Sequence, residues 1–515
     1  MRGNRNILTQ KLQIVKTGAR RLKNTKFYAL LITLTVLVGT LCLSPAISSL
    51  MNSVIIGNNG QISIPTITAA SGYWRDIQNA VDWIVAHGGI GNVYIPAGVW
   101  NFVNVGESWT GARVVIPAGV NLFGAPTERT SGLSYDGVGQ NPNDQVVEWR
   151  TVLRLPWDAP SATWFLINGS GDPNKPSRFS DIKLVGYRSV NSSSTTMHIG
   201  VGVQCVIDFR VDHCYFEHIC GGGVSVSGDL NGNTWAYAPS RGVIDHCFFV
   251  NTYGHVESNI DQCTVIYGVE VYKGTHEVSW ENNVTQVLGK YTSYTVYIED
   301  SYFSGWRHCV ASNTGAHYVF RHNTVKDDFG FGSIDAHGWF STECNNPQHG
   351  RVFNPPAVWN GTMWVCGYSV PGNPGGICGC PLNYTGHTSG AYYFVSQVGT
   401  RAVEIYSNLI VNATESPWAT MIRGGAGVAF NNRVGGGTYT SFIYLTNDAS
   451  GSPEGSMVWC HDWYIWNNTM LPGMTEIIEY DPYNQITEGV NYFRYAPSWY
   501  TPYPYPHPLT LEATP

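Results

Sequence analysis

The chain has 515 residues, of which only 13% are charged, about half of what soluble domains usually carry. Its 57 glycines and 27 prolines exclude a helical bundle or a coiled coil as the main body, and its 43% hydrophobic content excludes disorder. Residues 1–26 hold eight basic and no acidic residues, so residues 27–515 carry a formal charge of −15. A body that acidic repels phosphate backbones, which excludes nucleic acid as the main partner.

Residues 27–47 form a run of 21 residues without a charge, directly after the basic residues 1–26. A helix of that length spans roughly 30 Å, the thickness of a bilayer core. Basic flanks stay on the cytoplasmic side of a membrane. The sequence therefore predicts a cytoplasmic tail at 1–26, a single membrane-spanning signal anchor at 27–47, a linker at 48–70, and an extracellular remainder.

The alternative to an anchor is a cleaved signal peptide, with Ser44-Pro45-Ala46 as the cleavage site and a secreted protein as the product. Either way the body is exported, and eleven of the twelve cysteines lie after the apolar run. Cysteines in exported proteins usually pair, so we expect disulfide bonds. Sequons predict a glycoprotein where the host has the machinery, at Asn168, Asn191, Asn283, Asn360, Asn383, Asn412 and Asn467.

The first globular element is an amphipathic helix predicted at residues 73–87. One helical face carries only apolar side chains, and Gly88-Gly89 ends the pattern. A stack of strands needs such an element at its end, because the terminal strand otherwise exposes the core and unpaired backbone groups. The helix is therefore predicted to be an end cap.

A six-residue pattern recurs along the chain, first at 211–216 and again at 244–249. Each copy has an inward apolar residue, an outward residue, any residue, a small polar residue and an apolar pair, with the period of a strand. The spacing of most copies lies between 18 and 36 residues, which is typical of a solenoid. Stacked coils place equivalent residues about 4.8 Å apart. We therefore expect a hydrogen-bonded column at Cys214, Cys247, Asn283, Ser301, Asn323, Asn408, Asn432 and Asn468.

Residues 76–82, Gly88-Gly89, 92–98 and 114–125 resemble the start of pectin-lyase-like β-helix proteins, in the branch of rhamnogalacturonase and epimerase-type domains. The resemblance covers roughly residues 70–470 as architecture, and only the first fifty or so of these are motif-like. It implies an all-β fold, a right-handed parallel β-helix solenoid with an N-terminal capping helix, and we predict this ectodomain at residues 71–490. It also implies carbohydrate as the substrate class. It implies no particular reaction, because function depends on sites grafted onto a fold.

Two segments depart from the repeat. Residues 340–392 are rich in glycine, proline and cysteine, and they predict a loop insertion stapled by disulfides. A metal site with His349 or His387 is the alternative, although the Cys378-x-Cys380 spacing is unusual for zinc. Residues 491–515 contain many prolines and tyrosines, so they predict an extended strap or a loose tail rather than a domain.

The outward positions of the repeat form a predicted stripe of carboxylates, one guanidinium and aromatic rings along the stack. A second strand adds Asp335 and His337, which should point outward while Ile334 points inward. We assign catalysis to Glu281, Glu299, Arg321, Asp335 and His337. Substrate binding is assigned to Asp245, Tyr406 and Trp466, because aromatic rings can stack on sugar faces.

Three chemistries agree with this stripe. A pair of carboxyl groups on neighbouring coils is typical of glycoside hydrolysis. Arg321 and His337 are candidates for eliminative cleavage of a uronate, as the carboxylate-neutralising cation and the base. Clustered carboxylates could also bind Ca²⁺, although no residue is assigned to a metal. The simplest alternative is that these outward acids only keep an acidic exported protein soluble.

The sequence thus predicts a membrane-anchored extracellular β-helix protein that binds or cleaves polysaccharide, as a lyase or a hydrolase. The alternative is a non-catalytic surface protein with a structural or adhesive role. An open cleft lined by the stripe would favour the enzyme. A covered stripe, or one that faces several directions, would favour the binding or structural role. The oligomeric state is not predicted.

Overall fold

A computed structural model describes two units, residues 1–64 and 65–515. In the first unit it describes the hairpin of Ile55–Ile56 with Ile62–Ser63. No helix among the described residues is long and apolar enough to cross a membrane, and the predicted tail 1–26 and anchor 27–47 lie outside those residues. The described residues are 55–56, 62–104, 107, 113–126, 128–129, 147–155, 162–186, 198–219, 221–230, 233–251, 267–272, 284–313, 315–326, 332–337, 357–359, 364–366, 400–414, 416–447, 460–480 and 486–511.

Three parallel sheets build the second unit. Sheet A has 12 strands, which are Thr66–Thr68, Gly91–Tyr94, Val120–Phe123, Arg178–Ser180, Ile207–Asp212, Arg241–Asp245, Thr295–Glu299, His317–Arg321, Ala402–Tyr406, Gly425–Phe430, Cys460–Trp466 and Tyr492–Phe493. Sheet B has 10 strands, which are Gly98–Asn101, Thr151–Arg154, Lys183–Val185, Tyr215–Glu217, Phe248–Val250, Tyr302–Ser304, Thr324–Lys326, Leu409–Ala413, Arg433–Gly437 and Thr469–Met470. Sheet C also has 10 strands, which are Val114–Pro117, Ala162–Asn168, His198–Gln204, Gly221–Ser227, Tyr267–Tyr272, His308–Ser312, Ile334–Ala336, Trp418–Ile422, Ser441–Leu445 and Glu476–Tyr480.

The chain visits the three sheets in the order A, B, C and then returns to A one strand further along. Each strand pairs in parallel with the equivalent strand of the previous and the next coil. This path is that of a parallel β-helix, so the predicted architecture is confirmed. The right-handed sense stays a prediction, and it agrees with the hand of nearly all parallel crossovers.

The predicted cap is helix α1, Trp74–Ala86. Its buried face consists of Ile77, Ala80, Val81 and Ile84, and it belongs to the same core cluster as the first coils. Beyond the cap, the interior of the coils is filled by aligned apolar side chains. Phe216, Phe249 and Phe303 stack in consecutive coils with ring centroids 4.7 and 4.6 Å apart, so the core repeats from coil to coil.

A two-residue turn joins sheet A to sheet B in most coils, and it explains the repeated sequence pattern. The first turn residue has a positive φ of 50° to 61°, a conformation in which asparagine, aspartate and histidine are enriched. The third position of the six-residue pattern, which the sequence analysis left open to any residue, therefore requires a residue that tolerates a positive φ. It is occupied by Asp181, His213, His246, Asp300, His322, Ser407, Asn431 and Asn467.

The second turn residue forms the predicted polar column. The amide N–H of Asn323 donates to Asn408 Oδ1 at 2.9 Å, and that of Asn408 donates to Asn432 Oδ1 at 3.1 Å. Asn432 continues the chain to Asn468 Oδ1 at 3.0 Å, while the side-chain amides donate to strand carbonyls such as Phe320 O at 2.9 Å. These bonds satisfy turn groups that the parallel strands leave without a partner, and they set one register along the stack.

The predicted copy of the repeat at 280–284 is wrong. Sheet A passes directly from Arg241–Asp245 to Thr295–Glu299, with Asp245 opposite Glu299. Val284–Val287 instead forms a short helix, α2, which packs on the outside of sheet A. Glu281 and Asn283 lie outside the described residues.

Smaller elements decorate the coils. Three antiparallel hairpins join Glu128–Arg129 to Val147–Glu148, Asp229–Leu230 to Asn233–Tyr237, and Ala357–Trp359 to Trp364–Cys366, and Pro508–Leu511 is a 3₁₀ helix. The third hairpin is the described part of the insertion 340–392, so its predicted disulfides and the alternative metal site lie outside the described residues. Within the described coils, the expected cysteine pairing does not occur, and buried thiols pack in the core instead, at Cys205, Cys214, Cys247, Cys309 and Cys460.

The polar column gives a test of what holds the coils in register. Replacing Asn432 by Ala removes its amide bonds and leaves buried backbone groups unsatisfied. We expect the free energy of unfolding to fall by about 1–3 kcal/mol, measured by urea denaturation. The exposed Asn101 in sheet B is the matched control, and its replacement by Ala should change stability by less than about 0.5 kcal/mol. Equal effects of the two substitutions would contradict this role.

Candidate functional site

The outer face of sheet A is covered by a second apolar layer. The layer consists of α2 and of residues 494–511, here called the strap, which follow the last strand of sheet A. Tyr500 packs edge-on against Trp466 and Phe430, and Tyr503 lies 5.4 Å from the ring of Tyr297. The strap therefore runs back over coils that formed earlier in the chain, and the prediction of an extended strap at 491–515 agrees with this course.

Glu299 and Arg321 lie side by side beneath the strap. Arg321 Nε donates to Glu299 Oε2 at 2.6 Å, and both side chains are fully buried. The guanidinium also donates to two strap carbonyls, Tyr503 O at 2.8 Å and Pro504 O at 2.9 Å. The backbone N–H of His507 donates to Glu299 Oε1 at 2.8 Å. The pair thus anchors the strap, and no open groove exists at this point.

The residues predicted to bind substrate share this covered face. Asp245 accepts two hydrogen bonds from Arg210, at 2.9 and 2.8 Å, and is fully buried. Tyr406 stacks on Phe430, and Phe430 stacks on Trp466, with centroids 4.6 and 4.5 Å apart. The predicted alignment of the stripe is confirmed by the register. Its predicted openness along sheet A is wrong, because the strap covers the stripe.

Burial governs the ionisation of the groups under the strap. Loss of water raises the pKa of Glu299 to about 7, although Arg321 opposes the shift. Burial also raises the pKa of Asp300, which accepts a hydrogen bond from Tyr505 at 2.6 Å. His322 stacks on Tyr505 at 3.6 Å, and burial together with Arg321 lowers its pKa to about 4. Asp300 and His322 thus contact Tyr505 of the strap, and Glu299 accepts a hydrogen bond from the strap backbone at His507.

Asp335 and His337 lie on a different face, the outer side of sheet C. Ile334 and Ala336 point into the core, as the alternation predicts, and Asp335 points away from it. The structure therefore does not bring Asp335 and His337 together with Glu299 and Arg321, which belong to sheet A. The single groove predicted along Glu299, Arg321 and Asp335 is wrong for this reason.

A compact charged cluster surrounds Asp335. Arg423 donates through Nε and Nη2 to the two carboxylate oxygens, at 3.1 and 2.6 Å. His337 Nε2 lies 2.8 Å from Asp335 Oδ2, and His308 Nε2 lies 3.6 Å from the same oxygen. Asp335 is fully buried, whereas 29% of the His337 side chain and 18% of the Arg423 side chain are exposed. The imidazole of His337 and the guanidinium of Arg423 are thus partly accessible to solvent, and both contact the buried carboxylate of Asp335.

The charges of the cluster fix its protonation. Burial alone would raise the pKa of Asp335, but His337, His308 and Arg423 outweigh it and hold that pKa well below its usual range. Asp335 is therefore ionised and is a poor proton donor. His308 donates from Nδ1 to Gly332 O at 2.6 Å, and burial lowers its pKa to about 4, so it is neutral near pH 7.

The hydrogen bonds also assign the tautomer of His337. Its Nε2 faces the ionised Asp335 and must carry a proton to donate to it. Arg423 Nη2 lies 2.7 Å from both ring nitrogens, so the guanidinium sits against the imidazole ring. In the neutral form of the ring the lone pair is then on Nδ1, on the side away from the buried carboxylate. Such an arrangement can accept a proton once the guanidinium is drawn away.

Other polar groups border the cluster. Tyr267 stacks on His308 with centroids 5.5 Å apart. Burial raises the pKa of Tyr267, and its hydroxyl lies within the electrostatic reach of Arg307, Asp335, Glu270 and Arg423. Among the described residues no group of three or more histidine, cysteine, aspartate or glutamate side chains is placed to hold a metal ion, so the predicted Ca²⁺ acquires no set of ligands there.

Sequence reasoning identified two members of this cluster and missed the others. Asp335 and His337 followed from their outward positions in one strand. Arg423 was missed because it reaches His337 only through the pairing of Ile334–Ala336 with Trp418–Ile422, and the predicted insertion 340–392 lies between these strands in the sequence. His308 was missed because it belongs to a strand, His308–Ser312, that is buried along its whole length. A correct register for sheet C is the signal that would have found both.

No family model matches the sequence, and no curated protein sequence matches it. The structure is similar to tailspike protein gp49 of Acinetobacter baumannii bacteriophage Fri1, a capsular polysaccharide depolymerase, with 12% identity over 81% of this chain and 62% of that chain, and a TM-score of 0.38. It is also similar to the tailspike of E. coli bacteriophage HK620 (13% identity, 84% and 63% of the chains, TM-score 0.42) and to the catalytic domain of a GH87 α-1,3-glucanase (11%, 85% and 68%, TM-score 0.35). The chain spans about three fifths of the length of the two tailspikes.

Because all three TM-scores lie below 0.5, these likenesses assign neither a family nor a substrate to this chain, and the pectin-lyase-like superfamily stays a prediction.

The buried pair under the strap gives a stability test. Replacing Arg321 by Met leaves Glu299 buried without its counter-charge and removes both bonds to the strap carbonyls. We expect the free energy of unfolding to fall by about 3–5 kcal/mol, and protease to cleave the strap more readily. Adding Glu299→Gln to that variant should restore part of the loss, because the uncompensated charge is removed. An Arg321→Met variant as stable as the wild type would contradict the anchoring role.

The lowered pKa of His322 predicts an acid-sensitive strap. The imidazole binds protons more weakly in the folded state (pKa about 4) than in the unfolded state (about 6.5), so its contribution is present above pH 6.5 and is lost as the pH falls towards 4. Glu299 acts in the opposite sense between about pH 4.5 and 7, so the comparison must be between variants. His322→Asn, which tolerates the positive φ, should lose less stability than the wild type between pH 7 and pH 4.5. Parallel pH profiles of thermal unfolding would contradict this assignment.

Proposed function

We propose that the protein binds an acidic polysaccharide on the outer face of sheet C and cleaves it there by elimination at a uronate. The observation that carries the proposal is the partly exposed pair of His337 and Arg423 on the buried, ionised Asp335. Elimination needs a cation that neutralises the uronate carboxylate and a base that removes the neighbouring proton. Both groups are present within hydrogen-bonding distance of each other.

Each residue has a separate role in the proposed reaction. The substrate carboxylate binds the guanidinium of Arg423 and draws it from His337, which frees the Nδ1 lone pair. Nδ1 then takes the proton from the carbon next to the carboxylate, the glycosidic carbon–oxygen bond on the following carbon breaks, and a carbon–carbon double bond forms. The leaving oxygen takes a proton from water. Asp335 is a positioning residue, because it stabilises the imidazolium and does not touch the substrate.

Hydrolysis is the less favoured chemistry at this cluster. A glycosidase needs one carboxylic acid that stays protonated, and His337, His308 and Arg423 together hold the pKa of Asp335 low. Glu270 stands two strands away in the same row, through Ala311. That spacing is about 10 Å, at the upper end of the separation used by inverting enzymes. Product analysis separates the two reactions, since only elimination creates an unsaturated sugar end.

Sheet A contributes nothing to the proposed reaction, because Glu299 and Arg321 are bound to the strap. The anchor 27–47 and the extracellular location remain part of the proposal without a described structure. A purely adhesive protein would bind the same polysaccharide and leave it intact. The covered stripe and its division between two sheets favour this binding role, and a buried aspartate beside a partly exposed histidine also occurs at Asp245 and His246. The enzyme is proposed because Arg423 and His337 bring a cation and a base together at a partly exposed position.

The experiment incubates the purified protein with uronate-containing and neutral polysaccharides and follows the absorbance of unsaturated ends. His337→Gln should lower the rate by about 10²- to 10⁴-fold, the usual contribution of a general base. Asp335→Asn should give a similar loss with an altered pH profile. Asp462→Asn is the matched control, because Asp462 forms a comparable pair with His461 at 2.8 Å on an exposed position of sheet A.

Circular dichroism establishes that the variants are folded. Reducing ends without unsaturated ends would replace elimination by hydrolysis. Binding without any cleavage would leave the adhesive role. Full activity of His337→Gln would remove this cluster from the reaction.

A further inference from the structure

An aromatic pair lies on the same outer face of sheet C, beside the Asp335 cluster. The rings of Trp418 and Tyr444 are stacked with centroids 4.3 Å apart and planes inclined by 15°. Trp418 Nε1 donates to Glu479 Oε2 at 3.0 Å, and Ser441 Oγ donates to the same oxygen at 3.0 Å. The indole is therefore held in one orientation by partners on the next two strands.

Both rings are half-buried, and each covers one face of the other. The only polar atom of the indole is already bonded to Glu479. What the pair offers to a ligand is therefore the remaining apolar ring surface, together with polar neighbours at its edge. That combination is suited to the apolar face of a sugar ring, whose hydroxyl groups project around its rim.

The register of sheet C places this pair relative to the reaction centre. Asp335 pairs with Met421, and Met421 pairs with Tyr444, so Tyr444 stands two strands beyond Asp335. Two strand spacings amount to about 10 Å. On the other side of Asp335, Tyr267 stacks on His308, and Tyr267 pairs with His308 on the neighbouring strand. The Trp418–Tyr444 pair thus lies on one side of Asp335 along the axis of the β-helix, and Tyr267 lies on the other side, stacked on the buried His308 of the cluster.

A glycine, Gly332, lies two residues before the strand Ile334–Ala336 of the intervening coil. Gly332 accepts from His308 Nδ1, has a φ of +95°, and a Cβ added there would approach the backbone N of Met421 at 3.3 Å. With no side chain at that position, nothing from Gly332 rises between His308 and the next strand, which begins at Trp418. Gly332 itself therefore places no side chain between the two ring pairs.

We propose that Trp418 and Tyr444 form a binding subsite for a pyranose ring, and that the polysaccharide lies along the β-helix axis across the strands of sheet C. A chain in that direction meets the stacked rings and the Asp335 cluster in succession, whereas a chain parallel to a strand meets only one of them. The inference rests on the proposed function for the position of the cleaved bond. The subsite itself rests on the ring pair.

The test is the Trp418→Ala variant on the uronate polysaccharide that the wild type cleaves. We expect KM for the polymer to rise about tenfold, the worth of one aromatic contact, with kcat little changed. Trp418→Phe keeps a ring to stack on and should remain within about threefold of the wild type. Trp83→Ala is the matched control, because Trp83 is an exposed tryptophan of the cap helix α1 and should leave KM unchanged.

A second measurement separates binding from cleavage. Retardation of the His337→Gln protein in a gel containing the polysaccharide should be lost on adding Trp418→Ala and kept on adding Trp83→Ala. An unchanged KM and unchanged retardation for folded Trp418→Ala would overturn the subsite while the proposed function stands. Retardation that depends on Trp418 in a protein that never cleaves would support the subsite and remove the catalytic role. A wild type that neither binds nor cleaves any polysaccharide would overturn both.

Discussion

The stacking of each coil on the next in one register is the constraint on which every other feature depends. Parallel pairing aligns position with position in all three sheets. The amide bonds from Asn323 to Asn468 fix that alignment at the tight corner between sheets A and B. A slip of one residue would turn core side chains outward and break these bonds together. Once the register is set, outward residues that are far apart in sequence become neighbours, and charged clusters can form.

Much of the fold could be predicted from the sequence, because each coil of a solenoid repeats the same short pattern of buried, exposed and turn residues. The alternation at 211–216 and 244–249 located both strands and the turn, and the apolar face of α1 located the cap. The false copy at 280–284 shows the limit of this reasoning. Trp280-Glu281-Asn282-Asn283-Val284 has the right residue types, yet strand pairing bypasses it. A local sequence pattern shows which backbone conformation is favourable for a segment. Whether the segment forms a strand also depends on pairing with a neighbouring strand.

The candidate site was harder to predict, because it depends on what covers each face. Glu299 and Arg321 look like outward functional groups, and nothing near them in sequence reveals that carbonyls of Tyr503 and Pro504 will bind the guanidinium. Arg423, in contrast, has no sequence feature that marks it as functional, because it contacts His337 only once sheet C has formed. Two similar sets of charged residues therefore have different surroundings. One set is sealed by backbone groups of the strap, and the other keeps two polar side chains in contact with water.

The strap also has a consequence for the order of assembly during synthesis. Coils can stack one after another as the chain emerges, since each contacts only its neighbours. The outer layer of sheet A cannot close in the same way, because Tyr505 reaches back to Asp300 across 205 residues. Until the ribosome has delivered the strap, Glu299 and Arg321 stand in water on a nascent coil. The coils can therefore form gradually during synthesis, whereas the strap can cover sheet A only after the last coil has been made.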